Sequence, residues 1–107
     1  MSDIILEIND ENFEASVILS NTPVLVDFWA PWCGPCRAMA PLFEELAKTY
    51  SQVKLMKCNV DENPVTPTKY QIQAIPTFIM FKNGTVLEQV TGMVTKTKLE
   101  EMIKRSI

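Results

Sequence analysis

The chain has 107 residues, 47% hydrophobic and 21% charged, with a formal net charge of −3. This is the profile of a single soluble globular domain over residues 1–107, long enough for one core and too short for two. An acidic balance argues against nucleic acid or an anionic membrane as partner, because both require clustered Lys and Arg, and no apolar run approaches the roughly 20 residues of a membrane span.

The opening MSDIILEIND carries acids where a secretory leader would be basic, and no apolar core follows, so a cytoplasmic protein is expected. Within it, Ile4 to Ile8 forms a short apolar-rich run, predicting a strand. In NDENFEASVILS, Phe13, Val17 and Ile18 fall at helical spacing behind the capping candidates Asn9 and Asp10. Pro23 to Ala30, PVLVDFWA, is apolar on both faces except for Asp27, which suggests a central strand covered on both sides.

From Pro35 onward, Met39, Phe43, Leu46, Ala47 and Tyr50 make a helical stripe, with Pro41 inside it as a predicted kink. Val53 to Val60 is a further strand candidate, and ENPVTPTKY predicts a short helix interrupted by proline. Thr77 to Phe81, Asn83-Gly84 and TVLEQVTG form a hairpin with a strong turn signal; Leu99, Met102 and Ile103 mark a closing helix. The order β-α-β-α-β-α-β-β-α predicts an α/β fold: a central mixed sheet of about five strands flanked by about four helices. In open sheets of this kind, sites form beyond the C-terminal ends of strands, and Cys33 and Cys36 lie at such an end.

That pair, in WCGPC, admits three chemistries. Structural zinc usually needs four Cys or His ligands; the chain has three cysteines and no histidine, so no metal is expected. A purely structural bridge over so short a loop constrains the unfolded chain little. A redox-active dithiol fits best. Pro35 suits the first helical position, where its missing N–H costs nothing. The helix start then offers free N–H groups and the positive dipole end to Cys33, favouring its thiolate and making it the nucleophile. Cys36, one turn on and facing the apolar stripe, is expected to be more buried and to attack second, leaving a Cys33–Cys36 disulfide.

VDFWAPWCGPC, AIPTF, FKNG and VTGM, in this order and spacing over nearly the whole chain, resemble the thioredoxin family. A bare Cys-x-x-Cys is weak evidence; WCGPC with Ile-Pro-Thr some forty residues later is strong. The resemblance implies the thioredoxin fold and a thiol–disulfide oxidoreductase, an electron carrier that reduces protein disulfides; nothing in the sequence gives reason to expect an oligomer, so a monomer is expected. It also implies re-reduction by a thioredoxin reductase that uses NADPH. The chain itself carries no dinucleotide fingerprint and is expected to need no cofactor.

The resemblance also gives meaning to residues that the pattern leaves open. Asp27 reads either as a partly exposed strand residue or as a buried acid of raised pKa; the family carries a buried acid at the matching place, where it could take the proton of Cys36. Lys57 reads as a solvated strand lysine, and the resemblance makes it a charge partner for Asp27. Ile75-Pro76 would be a cis peptide beside the cysteines, with the Ile75 backbone free to pair with an extended substrate. Trp32, Gly34, Pro35, Ile75, Pro76, Gly92 and Met93 would form an apolar substrate-binding patch around Cys33, suited to many proteins. Trp29 is expected to support packing, and Cys58 to be a buried free thiol. Ala74 stands where some members have Gly, and Arg37 where Lys is commoner. Two rival readings remain: an oxidase or isomerase on the same fold, and a binding module that uses the patch without redox turnover.

Overall fold

A computed structural model describes residues 5–107 of the chain. Its strands are β1 (Ile5–Ile8), β2 (Val24–Trp29), β3 (Lys54–Asn59), β4 (Thr77–Lys82) and β5 (Thr85–Thr91). Helices α1 (Gly34–Thr49), α2 (Val65–Lys69) and α3 (Lys96–Ser106) separate or follow them, and a single π-helical turn spans Glu14–Ile18. One sheet runs in the order β1-β3-β2-β4-β5. β3 pairs in parallel with both β1 and β2, while β4 runs antiparallel to β2 and β5. This is the predicted thioredoxin fold, an α/β sandwich around a mixed five-stranded sheet. None of its helices is long and apolar enough to cross a membrane, among the described residues.

The two-residue period of β2 sorts the core. Leu25 joins Met39, Phe43 and Leu46 of α1 and Leu99, Met102 and Ile103 of α3 on one side. Val24, Val26 and Phe28 join Phe13, Val17, Met56 and Cys58 on the other. Both faces are therefore closed, and β2 is buried throughout except for a half-exposed Trp29. Lys57 and Cys58, adjacent on β3, point to opposite sides. The hairpin between β4 and β5 turns on Asn83 and Gly84, with φ of 53° and 80°. A side chain on Gly84 would also bring a Cβ within 3.1 Å of the Ile18 carbonyl.

Several boundaries differ from the sequence pattern. Ile4, the predicted first residue of β1, lies outside the described residues. The predicted helix over NDENFEASVILS is reduced to the turn at Glu14–Ile18, and Asn9 and Asp10 do not cap it. Asn9 and Asn12 instead bond each other, each amide oxygen accepting the other's backbone N–H at 2.8 and 2.9 Å. Asp10 reaches across the fold to α2, where it accepts from the N–H groups of Val65 and Thr66 and from the Thr66 hydroxyl. Tyr50 follows α1 rather than belonging to it, and Pro41 lies within α1 without ending it.

Candidate active site

Cys33 precedes α1 in extended conformation, and Pro35 occupies the first turn. The helix entrance brings the backbone N–H of Cys36 to 3.2 Å from the Cys33 sulfur, so that sulfur acts as the helix cap. The two sulfurs are bonded, with the Cα atoms 5.2 Å apart. Both residues are 4% exposed, so the expected greater burial of Cys36 is absent while the disulfide is closed. What separates them is their surroundings. Cys33 receives the N–H and lies 3.9 Å from the Ile75 carbonyl oxygen, at the edge of the surface. Cys36 lies on the inward face of α1, in line with buried Met39 and Phe43.

The loop beside Cys33 is tightly pinned. The Ile75–Pro76 peptide is cis. The Thr77 hydroxyl donates to the Ala74 carbonyl at 2.6 Å and meets the Thr91 hydroxyl at 3.1 Å. Gly92, with φ of 93°, donates its N–H to the Pro76 carbonyl at 2.7 Å. These bonds carry half-exposed Gly92 and the exposed Met93 to the same rim as half-exposed Ile75 next to Cys33, while the expected patch residue Pro76 is itself buried. Gly34 and Pro35 are exposed on the other side of the disulfide, and Trp32 is 65% exposed.

Trp32 is nonetheless held. Its indole N–H donates to both carboxylate oxygens of Asp61, at 2.9 and 3.2 Å. Between Trp32 and the Ile75 loop lies a groove of about 420 Å³, lined also by Val60, Pro67, Ile72, Gln73 and Ala74. Sequence reading singled out none of Asp61, Val60, Pro67 or Ile72 as site residues. They come from α2 and from the loops after β3 and α2, and no local motif marks their meeting with Trp32.

Asp27 is 1% exposed, and its Oδ1 has no hydrogen-bond partner among the described residues. Burial pushes its carboxyl up to about 7; the Lys57 ammonium pulls against this, and Glu7 adds to it. Lys57 is paired with Asp27 in the β2–β3 register, and its ammonium lies 4.5 Å above the Trp29 ring. Trp29 donates its indole N–H to Glu7 at 3.0 Å and packs against the cluster of Ala30, Cys33 and Cys36. Arg37 turns its guanidinium to the Pro31 carbonyl at 2.8 Å.

Cys58 is free and fully buried on the side of the sheet away from Asp27. Burial first, then the charges of Asp10 and Glu7, push its thiol up to about 12, which leaves it without thiolate character. Among the described residues, no group of three or more His, Cys, Asp or Glu is placed to hold a metal ion.

Comparison with known proteins agrees with this architecture. The family model described as Thioredoxin matches residues 4–105. A chloroplastic M-type thioredoxin of Pisum sativum is 52% identical over 101 residues, which is 94% of this chain and 59% of that protein. The thioredoxin of Haemophilus influenzae is 45% identical over 108 residues and covers the whole of both chains. Thioredoxin 1 of a Nostoc species is 44% identical over 102 residues, 94% of this chain and 95% of its own. The chain thus spans little more than half of the pea protein and all of the Haemophilus one.

Proposed function

The chain belongs to the thioredoxin family, a family of thiol–disulfide oxidoreductases, and from that premise we propose that it reduces protein disulfides through Cys33 and Cys36. The observation that carries the reading is the closed pair at the start of α1, with the Cys36 N–H on the Cys33 sulfur beside an exposed apolar rim.

In the reduced protein the same N–H and the helix dipole favour a Cys33 thiolate. That thiolate attacks one sulfur of a substrate disulfide, forming a mixed disulfide and releasing the other sulfur as thiolate. Cys36 gives its proton to Asp27 and attacks the Cys33 sulfur, which expels the second substrate thiolate. The substrate gains two electrons and the pair closes. A carboxyl that is buried with its Oδ1 unpartnered and is pushed up to about 7 suits this acceptor, because it can bind a proton at pH 7 without holding it permanently. Lys57 tempers its proton affinity.

An extended substrate segment would lie against Trp32, Gly34, Pro35, Ile75, Gly92 and Met93, with Pro76 buried rather than part of that surface. Its backbone would pair with Ile75, and an apolar side chain would enter the groove between Trp32 and Ile72. The reading includes a single 1–107 domain, a monomer, and a cytoplasmic setting. A thioredoxin reductase drawing on NADPH would restore the dithiol.

The test is the reduction potential of the pair, equilibrated in dithiothreitol buffers and followed by tryptophan fluorescence. A value near about −270 mV, the figure known for thioredoxin and not one deduced from this chain, supports the reductase. A value of roughly −120 to −180 mV would assign the protein to oxidation or isomerisation instead.

A further inference from the structure

We propose that Glu7 is a positioning residue for the exchange reaction: its carboxylate anchors the Trp29 indole and thereby sets where the Lys57 ammonium rests beside Asp27. The inference rests on the reading of Asp27 as the proton acceptor for Cys36.

Strand order makes the arrangement possible. β1 and β2 both flank β3, and Glu7, Lys57 and Asp27 fall at one register position across the three strands. Residues level with each other in a sheet project to the same side, so the three share the face that α1 covers. Trp29, two residues beyond Asp27 on β2, projects to that side as well.

The indole is then held at two places. Glu7 accepts its N–H at 3.0 Å, and Lys57 lies over its ring at 4.5 Å from the centroid. A ring tethered at its edge offers the ammonium one face at a fixed tilt. Lys57 therefore stands between the exposed anion of Glu7 and the buried acid of Asp27, and its position decides how much of its field reaches Asp27.

The other neighbours of Asp27 contribute little charge. Across β4 its register partner is Phe78, and α3 brings Leu99, Met102 and Ile103 to this face. α1 brings Met39, Phe43 and Leu46 to it, and Arg37 at the start of that helix is exposed, its guanidinium donating to the Pro31 carbonyl. Glu7 and Lys57 are the charged groups acting on Asp27, in opposite directions.

The experiment is the carboxyl ¹³C titration of Asp27 in oxidised Glu7→Gln and Glu7→Leu proteins, each with Lys57 and with Lys57→Met. Gln removes the anion and keeps an acceptor for the indole; Leu removes both. Glu7→Gln is expected to lower the Asp27 midpoint by roughly 0.2–0.7 pH unit, the effect of one solvent-exposed charge. With Lys57 present, Glu7→Leu is expected to titrate higher than Glu7→Gln, because the freed ammonium leaves Asp27. In the Lys57→Met background the two are expected to coincide. Equal midpoints for Gln and Leu with Lys57 present, or no shift in either, would overturn the positioning role. The pH–rate profile of disulfide reduction separates this from the reading beneath it. Midpoints that move as expected without a matching move in the profile would overturn Asp27 as proton acceptor and leave the Glu7–Lys57 linkage in place.

Discussion

The backbone N–H of Cys36 meets the sulfur of Cys33 at 3.2 Å, so in the proposed exchange the resolving residue would also help to activate the nucleophile. The two contributions use different atoms and can be separated. Cys36→Ser keeps the N–H and removes the sulfur. With a disulfide substrate it is expected to accumulate a mixed disulfide on Cys33, seen as one adduct by intact mass, whereas Cys33→Ser accumulates none. Adduct on the Cys33→Ser protein instead would reverse the roles.

Asp27 makes stability depend on pH. Its folded pKa, near 7, lies above the ordinary 3.8, so the folded state binds an extra proton between the two values. The resulting stability is fully present below the ordinary value and is lost as pH rises through the folded one. Asp27→Asn has no such loss. Urea unfolding of the oxidised proteins is expected to show the variant gaining on the parent from pH 4 to 8.5, by on the order of 4 kcal/mol. A constant difference across that range would mean that Asp27 is ionised throughout.

Asp10 has the opposite dependence. Burial alone would raise its carboxyl, but the hydroxyl and N–H of Thr66 and the N–H of Val65 outweigh burial and hold it below the usual range. The stability it adds is thus present above the ordinary carboxylate value and lost as pH falls. Asp10→Ala removes the partner of the first turn of α2 and is expected to cost about 1 kcal/mol at pH 7, a typical loss for a helix cap. The deficit is expected to shrink at pH 2.5, measured by the same unfolding curves.

Asp61 holds Trp32 without touching the disulfide. Asp61→Ala frees an indole that is already 65% exposed, and one wall of the groove becomes mobile. Loss of one hydrogen bond corresponds to about a 2–12-fold rise in KM for a protein disulfide. Reduction of a small aromatic disulfide, which does not need the groove, is expected to keep its rate. An equal loss on both substrates in steady-state assays would place the role of Asp61 in the chemistry rather than in binding.

Much of this site was legible before any coordinates. WCGPC located the bonded cysteine pair at the start of α1 because proline and a helix start have consequences within a few residues. Asn83-Gly84 located the hairpin because few residues accept two positive φ values. The two-residue period of β2 marked Asp27 as the odd member of an apolar strand. The capping role of Asp10 was misread for an equally local reason: an acid before an apolar stripe looks like the cap of the next helix, and here it caps one 55 residues further on.

Sequence by itself determined the elements and the redox pair, since backbone preference and side-chain period act between near neighbours. Only the tertiary structure decided which strands lie side by side. The order β1-β3-β2 aligned Glu7, Lys57 and Asp27, and the packing of α2 brought Pro67 and Ile72 opposite Trp32. Those meetings follow from burying both faces of one sheet, a condition on the whole chain that no short stretch of it expresses.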